Sequence, residues 1–101
     1  MPKFLIERDL PGAGDLTGEQ LRDISAKSNK VIADLGPDIR WLESYVTQDK
    51  LYCVYVAPDA DIIFEHARCG GFPANKVTRV THIIDPSTGD AAERVTAKSA
   101  S

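Results

Sequence analysis

The chain has 101 residues, room for one domain built around one core. Hydrophobic residues make up 43% and charged residues 27%, the balance of an ordinary globular protein rather than a disordered one. The net charge is −3 and no run of Lys or Arg occurs, which excludes tight nonspecific nucleic-acid binding and docking on an anionic membrane, since both rest on clustered cations.

No apolar run approaches the roughly 20 residues of a bilayer-spanning helix. The segment Met1-Pro2-Lys3-Phe4-Leu5-Ile6-Glu7 meets a charge too early for a signal peptide, so the expected location is cytoplasmic. Cys53 and Cys69 form no CxxC pair, and the simplest reading makes them inert reduced thiols.

Lys3 to Arg8 reads as a strand, with Phe4 and Ile6 on one face and Leu5 and Glu7 on the other. Turn chemistry in Asp9-Leu10-Pro11-Gly12-Ala13-Gly14 ends it. A helix follows. Thr17 and Gln20 have the spacing of a capping box, and Leu16 and Leu21 that of a hydrophobic staple. Leu21, Ile24, Val31, Ile32 and Leu35 then recur at helical period, with Ser25 and Ser28 along the stripe as packing positions, and Gly36-Pro37 supplies the stop. Ile39–Val46 and Lys50–Ala57 alternate as two strands around the polar link Thr47-Gln48-Asp49, an antiparallel hairpin. Asp59 and Asp61 mark the start of a second helix over about Ala60 to Cys69, ended by Gly70-Gly71 with Pro73 beyond. Lys76 to Asp85 is predicted as the last strand. Residues 86–101 form a polar tail outside the domain of residues 1–85.

The order βαββαβ predicts an α+β, ferredoxin-like sandwich: a four-stranded antiparallel sheet with two helices on one face. The other face is then bare. With Phe4, Ile6, Leu42 and Val54 turned toward the helices, Leu5, Glu7, Trp41, Glu43, Tyr45, Leu51, Cys53 and Tyr55 turn away, and His82 joins them from the last strand. A bare face of this kind predicts a homodimer or higher homo-oligomer. Ile62-Ile63-Phe64 either over-packs the protomer core or supplies a further contact, and protein binding through that patch is a third, weakly marked function.

Two groups can carry chemistry. Glu7, Glu43, Tyr45, Cys53, Tyr55 and His82 converge if alternation holds, giving either perturbed carboxylates and a metal or plain interface hydrogen bonds. His66 and Cys69, three apart on one helix face, suit a borderline metal such as nickel or zinc; a histidine capping the helix end is the other reading. No GxSxG, HExxH or P-loop signature occurs, and Gly12-Ala13-Gly14 lacks the third glycine of a dinucleotide fingerprint.

Four segments, Phe4 to Ala13, Trp41 to Val46, Asp49 to Tyr55 and His66 to Asn75, together resemble a small bacterial nickel-binding protein family, from Lys3 to about Asp85. The resemblance implies a ferredoxin-like fold, a cytoplasmic location, a dimer or higher assembly, and nickel binding in some members. His66 matches a histidine position of related sequences, whereas some of them carry a histidine after the first strand where this chain has Arg8. The leading expectation is therefore a divalent-metal, nickel-binding protein with His66, Cys69, His82 and Glu7 as ligands. The alternative is an enzyme or small-ligand binder of the dimeric α/β-barrel type. Its cleft would lie on the open sheet face and be built from Trp41, Glu43, Tyr45 and Tyr55.

Overall fold

Thr17 caps α1 (Gly18–Leu35): its hydroxyl accepts from the Gln20 amide, and the Gln20 side chain accepts from the Thr17 amide. Gly36, at φ 107°, takes the chain out of the helix in a conformation that disfavours any other residue. Asp59 caps α2 (Ala60–Gly70) by accepting from the Ile62 amide, and Gly71 closes it in the left-handed region at φ 71°. Both helices thus start and stop where the sequence predicts, α2 one residue later.

The computed structural model describes residues 1–90. Its strands are β1 (Lys3–Asp9), β2 (Arg40–Val46), β3 (Lys50–Val56) and β4 (Lys76–Val80), in one antiparallel sheet of order β2-β3-β1-β4. This is the predicted ferredoxin-like arrangement. Phe4, Ile6, Ile39, Cys53, Tyr55, Ala57 and Ile63 form the core, with Ile32 and Leu35 of α1 packed against it. A short helix, α3 (Pro86–Asp90), follows. Most of the predicted polar tail, residues 91–101, lies outside the described residues.

Two expectations need correction. First, the facing of β3 is reversed. Phe4 pairs with Tyr55 and Ile6 with Cys53, and directly opposed residues share a face. Tyr55, Cys53 and Leu51 therefore lie beneath the helices, while Val54, Tyr52 and Val56 lie on the open side with Leu5 and Glu7. In β2 the register shifts between Trp41 and Glu43, leaving Leu42 as the extra residue of a bulge. Trp41 joins Tyr55 under the helices, and Glu43 and Tyr45 stay on the open face. Second, β4 stops at Val80, not Asp85. Val80 pairs with Lys3, the first residue of β1, and beyond it stands Pro2, which has no N–H to continue the ladder. His82 is exposed past the strand end.

Candidate functional site

Arg8 continues the inward face of β1 after Phe4 and Ile6, and it is only 2% exposed. Its Nη1 donates to the carbonyl of Pro73 at 2.6 Å. The guanidinium carbon sits 5.9 Å from the Tyr55 ring centre and 5.8 Å from that of Phe72, a cation between two aromatic faces. Nη2 is buried with no hydrogen-bond partner. The acids on either side in sequence, Glu7 and Asp9, alternate outward and lie 3.9 and 3.8 Å from Lys50 Nζ.

His66 of α2 is fully buried beside it. Its Nε2 shares a hydrogen bond with Ser28 Oγ of α1 at 3.2 Å, and the Ser28 hydroxyl lies 3.5 Å from that of Tyr55. The imidazole stacks on Phe72 at 5.9 Å and tilts against Tyr55 at 5.2 Å. Nδ1 has no partner. Burial, and then the neighbouring Arg8 charge, pushes the His66 pKa down to about 4, so the ring is neutral at pH 7. Burial likewise raises the pKa of Tyr55 against the opposing pull of Ser28 and Arg8, keeping its hydroxyl protonated.

Gly70 is what lets Phe72 close over this pair. A Cβ at Gly70 would lie 2.5 Å from Phe72 Cε2, a separation that carbon atoms do not tolerate. The chain then turns at Gly71, and the Phe72 amide donates to the Ala67 carbonyl at 3.1 Å.

A cleft of about 70 Å³ opens between α1 and the sheet, lined by Arg8, Cys53 and Tyr55 of the strands and Ser28 of α1. Leu21, Ile24, Trp41 and Leu51 supply apolar wall. The Trp41 indole N–H donates to Ser44 Oγ at 2.9 Å, which fixes the ring at the cleft edge. The predicted cleft residues are therefore divided by the sheet. Trp41 and Tyr55 line a cleft on the covered face, and on the open face, outside that cleft, Tyr45 donates to Glu43. Of the predicted metal ligands, His66 is inside, Glu7 is across the sheet from it, and Cys69 and His82 are exposed. Cys69 Sγ lies 3.5 Å from Glu65 Oε2 in a surface cluster that Arg68 completes. Hydrogen bonds from Arg68, then Cys69, lower the Glu65 pKa.

Arg8, Ser28 and Phe72 were not singled out as site residues by sequence. A signal existed for Arg8, because a strand that buries Phe4 and Ile6 must turn the next alternate residue inward. Ser28 and Phe72 meet His66 only through tertiary packing.

Fold and site together define a ferredoxin-like α+β protein with a buried arginine–histidine pair beside an apolar cleft. The family model described as "Nickel responsive protein SCO4226-like" matches residues 4–80, and the chain belongs to that family. In fold it is similar to the crystal structure of SCO4226 from Streptomyces coelicolor A3(2), with a TM-score of 0.69 at 16% identity over 81% of this chain and 99% of that one. No curated protein matches.

Nickel does not fit the interior of this protomer. Among the described residues no three His, Cys, Asp or Glu side chains lie together as ligands. The buried, unpartnered imidazole nitrogen His66 Nδ1 has a guanidinium as its charged neighbour, and that repels a dication.

Proposed function

We propose that this member of the nickel-responsive family is a non-enzymatic, cytoplasmic small-ligand-binding protein, and that its seat is the cleft between α1 and the sheet. The observation that carries this is Arg8, a buried guanidinium with an unpartnered nitrogen at the side of an apolar cleft. A buried charge left half-satisfied costs stability, so it persists where function needs it. The test is a fragment titration of the full chain with small alcohols, amides and acids, read from backbone amide shifts. Saturable shifts confined to the cleft, lost in Ile24→Trp, are the expected result. The absence of any saturable cleft shift across all three chemical classes defeats the reading.

A second reading keeps nickel, on the strength of the family description, and sets it between copies of the chain. The exposed Cys69 thiol and Glu65 carboxylate offer two donors that a second copy could complete, with His82 and Glu7 as further exposed or half-exposed donors. Stoichiometric nickel in untagged protein, lost in Cys69→Ser, supports it; equal nickel content in both argues against it. Independently of nickel, we place the main contact between copies on the open sheet face, with half-buried Leu5, Tyr52, Val54 and Val56; a nickel site shared at Cys69 needs a further contact through α2, on the other side of the sheet.

A further inference from the structure

We propose that the cleft is a seat for a short, branched aliphatic monocarboxylate, with the ligand carboxylate paired to the Arg8 guanidinium. This rests on the ligand-binding reading above and narrows it to one chemical class.

Charge decides the first half. Arg8 is 2% exposed, and of its two terminal nitrogens Nη1 has an acceptor and Nη2 has none. Nothing nearby compensates it: no carboxylate forms an ion pair with Arg8 among the described residues, and Glu7 and Asp9 lie close to Lys50. The other titratable groups around it, His66, Tyr55 and Cys53, are buried, and the first two are held neutral. The site thus carries one uncompensated positive charge in a low-dielectric wall. A guanidinium fork matches a carboxylate in plane, charge and donor spacing. A dication or an amine would meet repulsion there, and a neutral amide would leave the charge unanswered.

Apolar lining decides the second half. Leu21, Ile24, Trp41 and Leu51 offer no hydrogen bonds apart from the indole N–H, which Ser44 already takes. Inorganic phosphate or sulfate would have to shed water against these walls in return for one arginine and the hydroxyls of Ser25, Ser28 and Ser44, of which Ser25 already donates to the Leu21 carbonyl and Ser28 is engaged with His66 and Tyr55. A ligand with a hydrocarbon body gains by that exchange, because its apolar surface leaves water. Volume then sets the size. The cleft holds about 70 Å³, roughly half of the 150 Å³ cavity that accepts benzene in another protein. The smaller the hydrocarbon body the better it seats, so a short branched acid is expected to outbind a bulkier aromatic one.

The experiment titrates the full chain with isovalerate, its neutral isostere isovaleramide, benzoate and inorganic phosphate, reading amide shifts and the Trp41 indole N–H. Isovalerate is expected to saturate the cleft signals at least tenfold more tightly than isovaleramide, benzoate or phosphate. Arg8→Met is expected to erase the preference over isovaleramide, and Arg8→Lys, which keeps the charge but not the fork, to reduce it. Ile24→Trp should block both isosteres. The wild-type comparison alone decides the class should Arg8 variants fail to fold. If isovaleramide binds as tightly as isovalerate, the carboxylate assignment falls while the cleft reading survives. Equal binding by phosphate reduces the site to a generic anion hole and overturns the assignment too. If no probe moves the cleft signals, both readings fall.

Discussion

His66 is held inside the protein as a neutral ring, and that has a pH signature. Its folded pKa is about 4 against an ordinary 6.5, because burial disfavours the cation and Arg8 adds repulsion. Between those two values the unfolded chain binds a proton that the folded chain refuses. Stability is therefore fully present above about pH 6.5, falls as pH drops through the window, and levels off below about 4. At full extent the loss is about 3 kcal/mol, from 1.36 kcal/mol per pKa unit. Urea unfolding of wild type and His66→Phe across pH 4 to 7 checks this. The variant keeps an aromatic against Phe72 and Tyr55 but has no proton to bind, so its slope between pH 4 and 6.5 should be flatter. Equal slopes in both proteins would remove His66 as the cause.

At the scale of elements, the turn after α2 builds the roof of the site, and Gly70 is its hinge point. By helix propensity alone Gly70→Ala should stabilise the helix by up to about 1 kcal/mol. The clash with the Phe72 ring works the other way and costs roughly 1–3 kcal/mol, so the net effect is expected to be a loss. The double variant Gly70→Ala, Phe72→Ala isolates the clash: it should be no less stable than Phe72→Ala alone. In Gly70→Ala the His66 pKa, followed by imidazole carbon shifts, should move up toward its ordinary value as water reaches the ring. An unmoved pKa would mean that Phe72 does not seal the site. Caps, helix ends and strand order were legible in the sequence because each is written in local chemistry: Thr17 with Gln20, Asp59, Gly36, Gly71. Facing in β3 was not. Leu51, Tyr52, Cys53, Val54, Tyr55 and Val56 are all apolar or aromatic, so alternation there has a period but no phase. The bulge at Leu42 was equally silent, since an unpaired residue leaves no mark on composition. The site suffered most, because its members come from β1, α1, β3 and α2 and only the register brings them together.

Across the whole molecule, the sheet is roofed on one side only. Phe4, Ile6, Cys53 and Tyr55 are buried under α1 and α2, whereas Leu5, Tyr52, Val54 and Val56 remain half-buried on the other side, near exposed Tyr45. Neighbouring strands shield these residues laterally, and α1 and α2 lie on the opposite side of the sheet. Val54 is the centre of this face, paired with Leu5 on one side and Glu43 on the other. Pairing two copies face to face would remove the rest of its half-buried side chain from water, a gain of roughly 1 kcal/mol, about half of that for burying an exposed valine. It would also hold the two Arg8 clefts apart, on the outer, helix-covered sides of the assembly. Val54→Asp sets a carboxylate at that centre with no cation opposite it in its own sheet, since both residues paired to it are Leu5 and Glu43. Sedimentation equilibrium should show a wild-type dimer and at least tenfold weaker association in Val54→Asp, at least 1.4 kcal/mol of association energy. Isovalerate binding should stay the same in both, because the cleft lies on the opposite side of the sheet. A monomeric wild type would refute pairing through this face, and a coupled loss of isovalerate binding would refute the independence of the two surfaces.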